Sequence, residues 1–315
     1  MGMRRKAPDR EPQIITRGMA GAPGTCGELA QGSLGDRLAM VTCPVDMYAV
    51  ASVELREGSG RVIGPSESRK ALEAAERTLE ELSRTDLDAH LRLQSALPGG
   101  KGMGSSTADI LAAVGAIHIA LGIHLSPGRL ADIALAVEPT DGVMYPGVVL
   151  FDHLHGTIRR PLGNPPPMRV VVLEFGGSVD TQAFNQQVRQ EKRDRSYPRL
   201  DDALDLIEEG IARGSAALIG KGATRSARAY QSVLYKPQME AAIELGRQTG
   251  AVGVNVAHSG TVMGLLFAED APGIGWAVRA APARFQDLTT VHQCRLIGGG
   301  VVSAIRGGSP IGLHP

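Results

Sequence analysis

Aromatic residues are scarce in this sequence. One Trp, five Tyr and five Phe make up 3% of its 315 residues. Proteins that hold single-stranded nucleic acid by stacking its bases need several aromatic rings, so this composition argues against that class and against aromatic-caged ligand sites. Positive charge is not in excess either, because 33 Lys and Arg balance 33 Asp and Glu. That balance argues against a strongly basic nucleic-acid module.

Cysteines are also few. Cys26, Cys43 and Cys294 are far apart, and no CxxC or Cys/His zinc spacing is present. The sequence therefore predicts neither a disulfide scaffold nor a structural zinc site. A reducing, cytoplasmic setting is the expectation for such cysteine usage.

Long apolar runs are missing as well. The longest uncharged stretch, residues 251–268, contains Asn255, His258, Ser259 and Thr261. It predicts two short buried strands around a turn rather than a membrane span. The basic start MGMRRKAPDR is followed by no apolar h-region, so we expect no secretory signal and no membrane partner.

The sequence does contain ample apolar residues, 43% of the chain, and 40 glycines. Three consecutive prolines at 165–167 indicate a linker, so we predict two α+β domains, residues 1–165 and 166–315. The periodicity predicts helices over 69–83, from the glycine loop to Leu121, from Ser126 to before Pro139, and near 201–219 and 237–248, and strands near 251–256, 261–267 and 291–305. The mixed-charge stretch 189–199 is interpreted as a solvated loop or helix end, or alternatively as a lid that brings Arg to phosphates.

The strongest signal is a glycine loop that runs directly into a predicted helix. Glycines let backbone N–H groups approach an anion, and a helix N-terminus adds unpaired donors and a positive dipole end. The pattern predicts a polyphosphate site, although a glycine turn with an ordinary Ser cap is the alternative, and Ser106 and Asp109 have the capping-box spacing. Walker A and Rossmann spacings are absent. The loop residues are Pro98, Gly99, Gly100, Lys101, Gly102, Met103, Gly104, Ser105, Ser106 and Thr107.

This loop resembles the second motif of the GHMP kinases, in which Pro and three residues precede Gly-Leu-Gly-Ser-Ser-Ala. Pro98, Gly102, Gly104, Ser105 and Ser106 match that motif, whereas Met and Thr stand where the family has Leu and Ala. Two further segments, 22–29 and 250–261, occupy the places of the first and third motifs. The resemblance implies a ribosomal-protein-like N-terminal domain, a ferredoxin-like C-terminal domain, and the use of ATP with Mg²⁺.

The third segment lacks the family's usual run of glycines. GTCGELAQG together with AHSGTVMGLL is similar instead to the branch of the family that phosphorylates free L-threonine for cobalamin biosynthesis. This resemblance implies a kinase that makes O-phospho-L-threonine from ATP and the free amino acid. Homoserine, serine or an amino alcohol is the alternative acceptor.

Catalytic and metal-binding roles follow from the same resemblance. Glu138 and Asp141 flank the helix-breaking Pro139, so both carboxylates can point into one cleft. Carried over from the family, Glu138 is the Mg²⁺ ligand, with Ser105 or Ser106 beside it, and Asp141 is the catalytic base. Lys101 is expected near the transferring phosphate. A turn residue before Gly142 is the alternative for Asp141.

Substrate-binding residues are predicted from the first and third motifs. Glu28 is the first choice for the ammonium or hydroxyl side of the substrate. The third segment is expected either to support the phosphate loop or to hold the substrate carboxylate. The full set of candidates is Glu28, Gln31, Asp46, Tyr48, His258, Ser259, Gly260 and Thr261.

Two hypotheses of other classes remain at this stage. A non-catalytic nucleotide-binding module would share the phosphate loop but would not need Asp141 or Lys101. An RNA-binding protein is disfavoured by the zero net charge and the few aromatics. The sequence predicts a monomer or a homodimer and does not decide between them.

Overall fold

The computed structural model describes residues 13–177 and 197–303, together with the backbone at 305–306 and 309–310. Residues 189–196 of the mixed-charge stretch therefore lie outside the described residues. None of the helices in the described ranges has both the length and the apolarity needed to cross a bilayer.

Helices and strands alternate along most of the described chain. The helices are α1 (Arg69–Glu81), α2 (Ser105–Leu121), α3 (Pro127–Val137), α4 (Asp201–Ala212), α5 (Ala216–Ala229), α6 (Met239–Thr249) and α7 (Ile274–Arg284), with a 3₁₀ turn at Tyr230–Ser232. The strands are β1 (Ile14–Leu34), β2 (Arg37–Glu57), β3 (Val62–Ile63), β4 (Leu87–Ser95), β5 (Val148–Phe151), β6 (Arg159–Gly163), β7 (Met168–Phe175), β8 (Gly253–Val256), β9 (Met263–Ala268), β10 (Leu288–Leu296), β11 (Val302–Ser303), β12 (Ile305–Arg306) and β13 (Ser309–Pro310).

The main sheet joins both halves of the chain. Its order is β11-β1-β8-β9-β7-β10-β2-β4-β3, and β5 with β6 extends it beside β2. β1 and β2 form an antiparallel hairpin whose register is interrupted between Pro23 and Ala30. Such irregularities bend a strand and redirect its side chains. Glu28, within the bent part, also pairs with Val256 of β8, so the hairpin meets the C-terminal half of the chain there.

Strand β7 supplies both hydrophobic cores. Met168, Val170 and Val172 belong to the larger core, which also contains α2. Val171, Leu173 and Phe175, on the opposite face of the strand, belong to a second core under α6 and α7. Because strand side chains alternate between faces, one apolar run serves both layers. Strands from both sides of the predicted linker at 165–167 belong to this one sheet. The domain division at residue 165 stays a prediction.

The three helices predicted before residue 140 are confirmed within two residues, and Ser126 caps α3 by accepting a hydrogen bond from the Arg129 N–H at 3.2 Å. A single helix over 201–219 is wrong. Gly214 has φ +64° and Ser215 caps a new helix through Leu218 N–H. A left-handed glycine ends one helix and an N-cap serine starts the next, which breaks the apolar periodicity that suggested one element.

Candidate active site

The glycine loop, residues 98–107, is called the phosphate loop below after its predicted ligand. It is held between segments 22–29 and 250–261, which occupy the places of the first and third motifs. Its backbone carbonyls accept hydrogen bonds from Thr25 N–H at Met103 (2.9 Å), from Gly27 N–H at Gly102 (3.1 Å) and from Thr261 N–H at Lys101 (2.9 Å). Three segments that are far apart in sequence therefore form one backbone scaffold. These three hydrogen bonds to its carbonyls hold the loop in place. Helix α2 begins at the end of the loop.

The glycines of the loop are required by its path. Gly100, Gly102 and Gly104 have φ of +69°, +85° and +64°, a region that L side chains rarely adopt. A Cβ on Gly102 would lie 2.3 Å from the Ala257 Cβ, and one on Gly260 would lie 2.4 Å from the Gly102 Cα. The two backbones pass too closely for any side chain there.

We expect Gly102→Ala to destabilise the protein by about 2–4 kcal/mol, because it adds left-handed strain and a clash with Ala257. Thermal unfolding would then shift down by roughly 5–10 °C. Gly99→Ala is the matched control in the same loop, since a Cβ at Gly99 would meet no atom within 4 Å. Equal melting temperatures for the two variants would contradict the close packing.

The N-terminus of α2 opens toward the cavity. Gly104 is its N-cap, and no side chain accepts a hydrogen bond from the first turn. The capping-box prediction is therefore wrong: the Ser106 hydroxyl donates to Glu138 instead, and Asp109 lies beside Ser95. Uncapped N–H groups at a helix N-terminus are a ready anion site, which agrees with the polyphosphate prediction.

Glu138 lies where α3 ends, with its carboxylate directed at the start of α2. It is buried and accepts hydrogen bonds from the Ser106 hydroxyl and the Lys70 ammonium. A carboxylate and a hydroxyl oxygen beside a phosphate cradle are the hard oxygen donors that Mg²⁺ prefers. The residues present therefore fit a Mg²⁺ site formed by Glu138 and Ser106, with Lys70 as an adjacent cation.

Asp141 lines the same cavity, against the phosphate loop. Its side chain is almost fully buried, and its Oδ2 is 2.8 Å from where a Cβ on Gly104 would stand. Burial, followed by the charges of Glu28 and Glu138, raises its pKa to about 7, while His258 acts in the opposite direction. A carboxylate that changes protonation near neutrality is suited to general-base catalysis.

Glu28 and His258 form a buried pair next to Asp141. Glu28 accepts hydrogen bonds from the His258 backbone N–H (2.7 Å) and from its Nδ1 (2.9 Å). Burial lowers the pKa of His258, but the charge and hydrogen bond of Glu28 outweigh burial, so the pKa is raised. Ligand-capable atoms of Glu28, Asp141 and His258 all lie within 4.8 Å of one another. The site thus contains a compact ionisable cluster at the end of the phosphate cradle.

Most of the predicted site residues line this one cavity. Its lining comprises Glu28, Lys70, Gly100, Gly102, Met103, Gly104, Ser105, Ser106, Thr107, Glu138, Pro139, Thr140, Asp141, His153, His258 and Ser259. Gly260 lies behind it, packed on Gly102, and Gly99 lines an adjoining groove with Gly100, Ser105 and Ser106. Pro98, the first residue of the loop, does not line the cavity.

Lys101 does not reach the cavity, in contrast to its predicted position near the phosphate. Its ammonium donates to the backbone carbonyls of Phe175 (2.9 Å) and Gly177 (2.7 Å) and lies 3.6 Å from the Glu174 carboxylate. These contacts hold the Lys101 ammonium at the end of β7, outside the cavity. Lys70, from α1, is the lysine that the structure brings to the cavity.

Four predicted substrate residues are also placed elsewhere. The Gln31 backbone N–H donates to Ser226 (2.9 Å), and Thr261 donates its hydroxyl to the Phe175 carbonyl (3.1 Å). Asp46 is exposed and accepts from the Arg295 N–H (2.7 Å). Tyr48, two residues further along β2, is likewise absent from the cavity lining. Gln31, Asp46 and Tyr48 are candidates from segments that adjoin the motifs, and none of them lines the cavity.

Sequence reasoning missed Lys70, His153 and Lys236. Lys70 stands at the start of a predicted helix, and no motif in the sequence includes it. The His153 ring contacts His258 edge-on, with centroids 5.2 Å apart. His153 is two residues from His155 in the sequence, a spacing that does not point to His258. Lys236 is buried and donates to the Gly260 carbonyl, and nothing in its sequence neighbourhood marks that contact.

Known proteins are similar to this chain over most of its length. The model described as GHMP kinases N terminal domain matches residues 69–147, and the model described as GHMP kinases C terminal matches residues 207–281. The L-threonine kinase of Salmonella typhimurium is 34% identical over 251 residues, covering 79% of this chain and 82% of that protein. The L-threonine kinase of Citrobacter freundii is 31% identical over 287 residues, covering 90% and 98%.

A solved structure supports the fold. The crystal structure of homoserine kinase from Cytophaga hutchinsonii superposes with a TM-score of 0.69 at 17% identity, covering 93% of this chain and 99% of that chain. At this identity the likeness concerns the fold alone. Together with the two matched models, it gives this chain a two-domain arrangement of mixed helices and strands.

Proposed function

The chain belongs to the GHMP kinases and is an ATP-dependent kinase with an alcohol acceptor, and from that premise we propose that its acceptor is the side-chain hydroxyl of free L-threonine. Identity of 31–34% to L-threonine kinases over most of both chains supports this substrate. Kinases of this family use ATP with Mg²⁺.

The observation that carries the proposal is the ionisable cluster of Glu28, Asp141 and His258 beside the phosphate cradle. An amino-acid acceptor brings an ammonium group and a hydroxyl, and both need acceptor groups on the protein. Glu28 and Asp141 are buried there, next to the uncapped start of α2. A buried carboxylate repels phosphate unless a cation lies between them, so Glu28 and Asp141 at this point favour an acceptor that brings an ammonium group and a hydroxyl.

In this proposal the loop 99–107 holds the phosphates of ATP, and Asp141 accepts the proton of the threonine hydroxyl. The hydroxyl oxygen bonds to the γ-phosphorus as the bond from that phosphorus to the bridging oxygen breaks, which releases ADP. Mg²⁺ held by Glu138 and Ser106 would neutralise charge on the phosphate oxygens. Lys70 rather than Lys101 is proposed as the lysine beside the phosphates.

The test is an acceptor panel with ATP and Mg²⁺, followed by ADP release. L-threonine, homoserine, L-serine and 1-aminopropan-2-ol are compared at equal concentrations, and the phosphorylated product is identified by mass spectrometry. We expect L-threonine to have the highest kcat/KM. Turnover of another acceptor with none of L-threonine would overturn the substrate, and no turnover of any acceptor would favour a non-catalytic module.

The pH dependence of kcat/KM is expected to report on Asp141. Since its pKa is raised to about 7, the ionised base is lost as the pH falls below that value. We expect kcat/KM to drop about tenfold per pH unit on the acid side, with the midpoint near neutrality. A profile that is flat from pH 5.5 to 8 would contradict the assignment of Asp141 as the base.

The proposal extends to the pathway, the location and the assembly of the enzyme. We propose that the phosphothreonine product serves cobalamin biosynthesis, as the sequence resemblance implies, and that the enzyme works in the cytoplasm as a monomer or homodimer. We also propose, from the same resemblance, that the N-terminal domain is ribosomal-protein-like and the C-terminal domain ferredoxin-like. Metabolite analysis of a deletion strain, supplied with and without O-phospho-L-threonine, tests the pathway.

A further inference from the structure

Glu28, Asp141 and His258 place two carboxylates and an imidazole close together in the cavity. All three line it, and one ligand-capable atom of each lies within 4.8 Å of those of the other two. The Glu28 Oε1 and the His258 Nδ1 are 2.9 Å apart. Adjacent ligands that each lie about 2.1 Å from one ion are about 3–3.5 Å from each other. This pair is therefore close to the spacing of two neighbouring metal ligands.

The Asp141 carboxylate is the sign that this cluster takes a ligand. Asp141 is only 8% exposed and lines the cavity. Within residues 13–177 and 197–303 no hydrogen-bond donor reaches its carboxylate, since the contact with the Thr107 hydroxyl at 3.5 Å is made by the Asp141 backbone N–H. Burying a carboxylate without hydrogen bonds is costly, and more so beside a second one. A cation bound between the two carboxylates would remove that cost.

The donor types select the class of ion. Glu138 and Ser106 offer oxygen alone, which suits Mg²⁺. The second cluster adds the imidazole nitrogen of His258, a donor that favours first-row transition ions such as Zn²⁺ over Mg²⁺. Three protein ligands with a further position open to a cavity are also the usual arrangement of an accessible zinc ion. The cavity thus contains two cation sites of different chemistry.

We propose that Glu28, Asp141 and His258 bind one divalent transition-metal ion of the Zn²⁺ type, and that this ion excludes the acceptor. The same two carboxylates are the groups offered above to the ammonium and hydroxyl of L-threonine, so the ion and the acceptor cannot use them together. Binding of the ion does not depend on the identity of the substrate, whereas the exclusion rests on the proposed function. Zinc then inhibits by competing with the acceptor and not with ATP.

Equilibrium dialysis of the full chain against Zn²⁺, with Mg²⁺ in large excess, tests the site directly. We expect one ion per chain, and a loss of affinity of about 100-fold or more in Asp141→Asn and in His258→Gln, because each removes a ligand. Asp141→Asn removes a buried charge and is expected to fold, and its melting temperature checks this. His124→Gln, a change at an exposed histidine, is the matched control and should bind as the wild type does.

Co²⁺ serves as a spectroscopic probe of the ligands. We expect visible absorption bands in the wild type that disappear in Asp141→Asn, without the near-ultraviolet band of a cobalt–thiolate bond. Equal binding by the wild type and all variants would mean an adventitious ion only, and a thiolate band would place the ion at a cysteine. Either result overturns the site.

Steady-state kinetics test the exclusion of the acceptor. With free Zn²⁺ at ten times its dissociation constant, we expect the apparent KM for L-threonine to rise about tenfold by mass action, with kcat and the KM for ATP unchanged. A rise in the KM for ATP alone would show that zinc replaces Mg²⁺ and would overturn the exclusion. A wild-type enzyme that binds zinc through these residues but phosphorylates no amino acid would overturn the proposed function and the exclusion, and would leave the metal site established.

Discussion

Replacing Asp141 by Asn is expected to lower kcat by about 10²- to 10⁴-fold, the usual contribution of a positioned general base. The amide has the same shape as the carboxylate but cannot take the hydroxyl proton. The loop carbonyls accept hydrogen bonds from Thr25, Gly27 and Thr261, which this substitution does not change, so the KM for ATP should remain within a few-fold. Steady-state kinetics with L-threonine and ATP measure both quantities.

Two readouts distinguish loss of the base from damage to the fold. The acid limb of the pH profile should disappear in Asp141→Asn, and Asp205→Asn, an exposed change on α4, should keep wild-type kinetics. Retention of more than a tenth of the wild-type kcat would show that Asp141 only positions the substrate.

The same substitution should not lower stability at pH 8. Since the pKa of Asp141 is raised in the folded protein from an ordinary value of 3.8, the unfolded chain gives up this proton first as the pH rises. The carboxyl therefore costs stability progressively between about pH 4 and 7 and fully above that range. We expect the melting temperature of Asp141→Asn to equal or exceed that of the wild type at pH 8, with the difference shrinking toward pH 4.

Glu138→Gln is expected to produce the second large effect. The amide keeps an oxygen but loses the charge that would hold Mg²⁺ beside Ser106, and metal-based charge stabilisation supplies several kcal/mol. We expect kcat/KM for ATP to fall about 10²- to 10³-fold, together with a higher Mg²⁺ concentration for half-maximal rate. A magnesium titration at fixed ATP measures the second effect directly.

Lys70 complicates this prediction, because Glu138→Gln also leaves its ammonium without an ionised partner. Lys70→Met is therefore measured in parallel; it should weaken ATP binding without raising the Mg²⁺ requirement. Glu73→Gln, an exposed change on the same helix as Lys70, serves as the neutral control. An unchanged magnesium titration in Glu138→Gln would contradict the metal site.

The phosphate loop and its helix could be predicted because their signals are local. Glycines at 100, 102 and 104 permit the left-handed backbone, and the helix that follows has its own apolar pattern. Glu138 and Asp141 were also found, since a proline between them forces the helix to end at the cavity. In each case a few adjacent residues determine the conformation.

Lys101, Lys70 and Lys236 show where sequence reasoning fails. A lysine side chain reaches far enough to choose among several partners, and the choice depends on elements that are distant in sequence. The carbonyls that hold Lys101 lie at 175 and 177, and the one that holds Lys236 lies at 260. No local pattern identifies an acceptor of this kind. The place of Lys101 within a motif therefore did not predict where its side chain lies.

The backbone bonds that fix the phosphate loop have a consequence for folding. The loop accepts hydrogen bonds from residues 25 and 27 on one side and 261 on the other, so it has all of these partners only once both segments have packed against it. Contacts of such sequence separation form slowly. ATP would then bind the finished protein and not its isolated halves, and its stabilising effect would be absent from either fragment cut at residue 165.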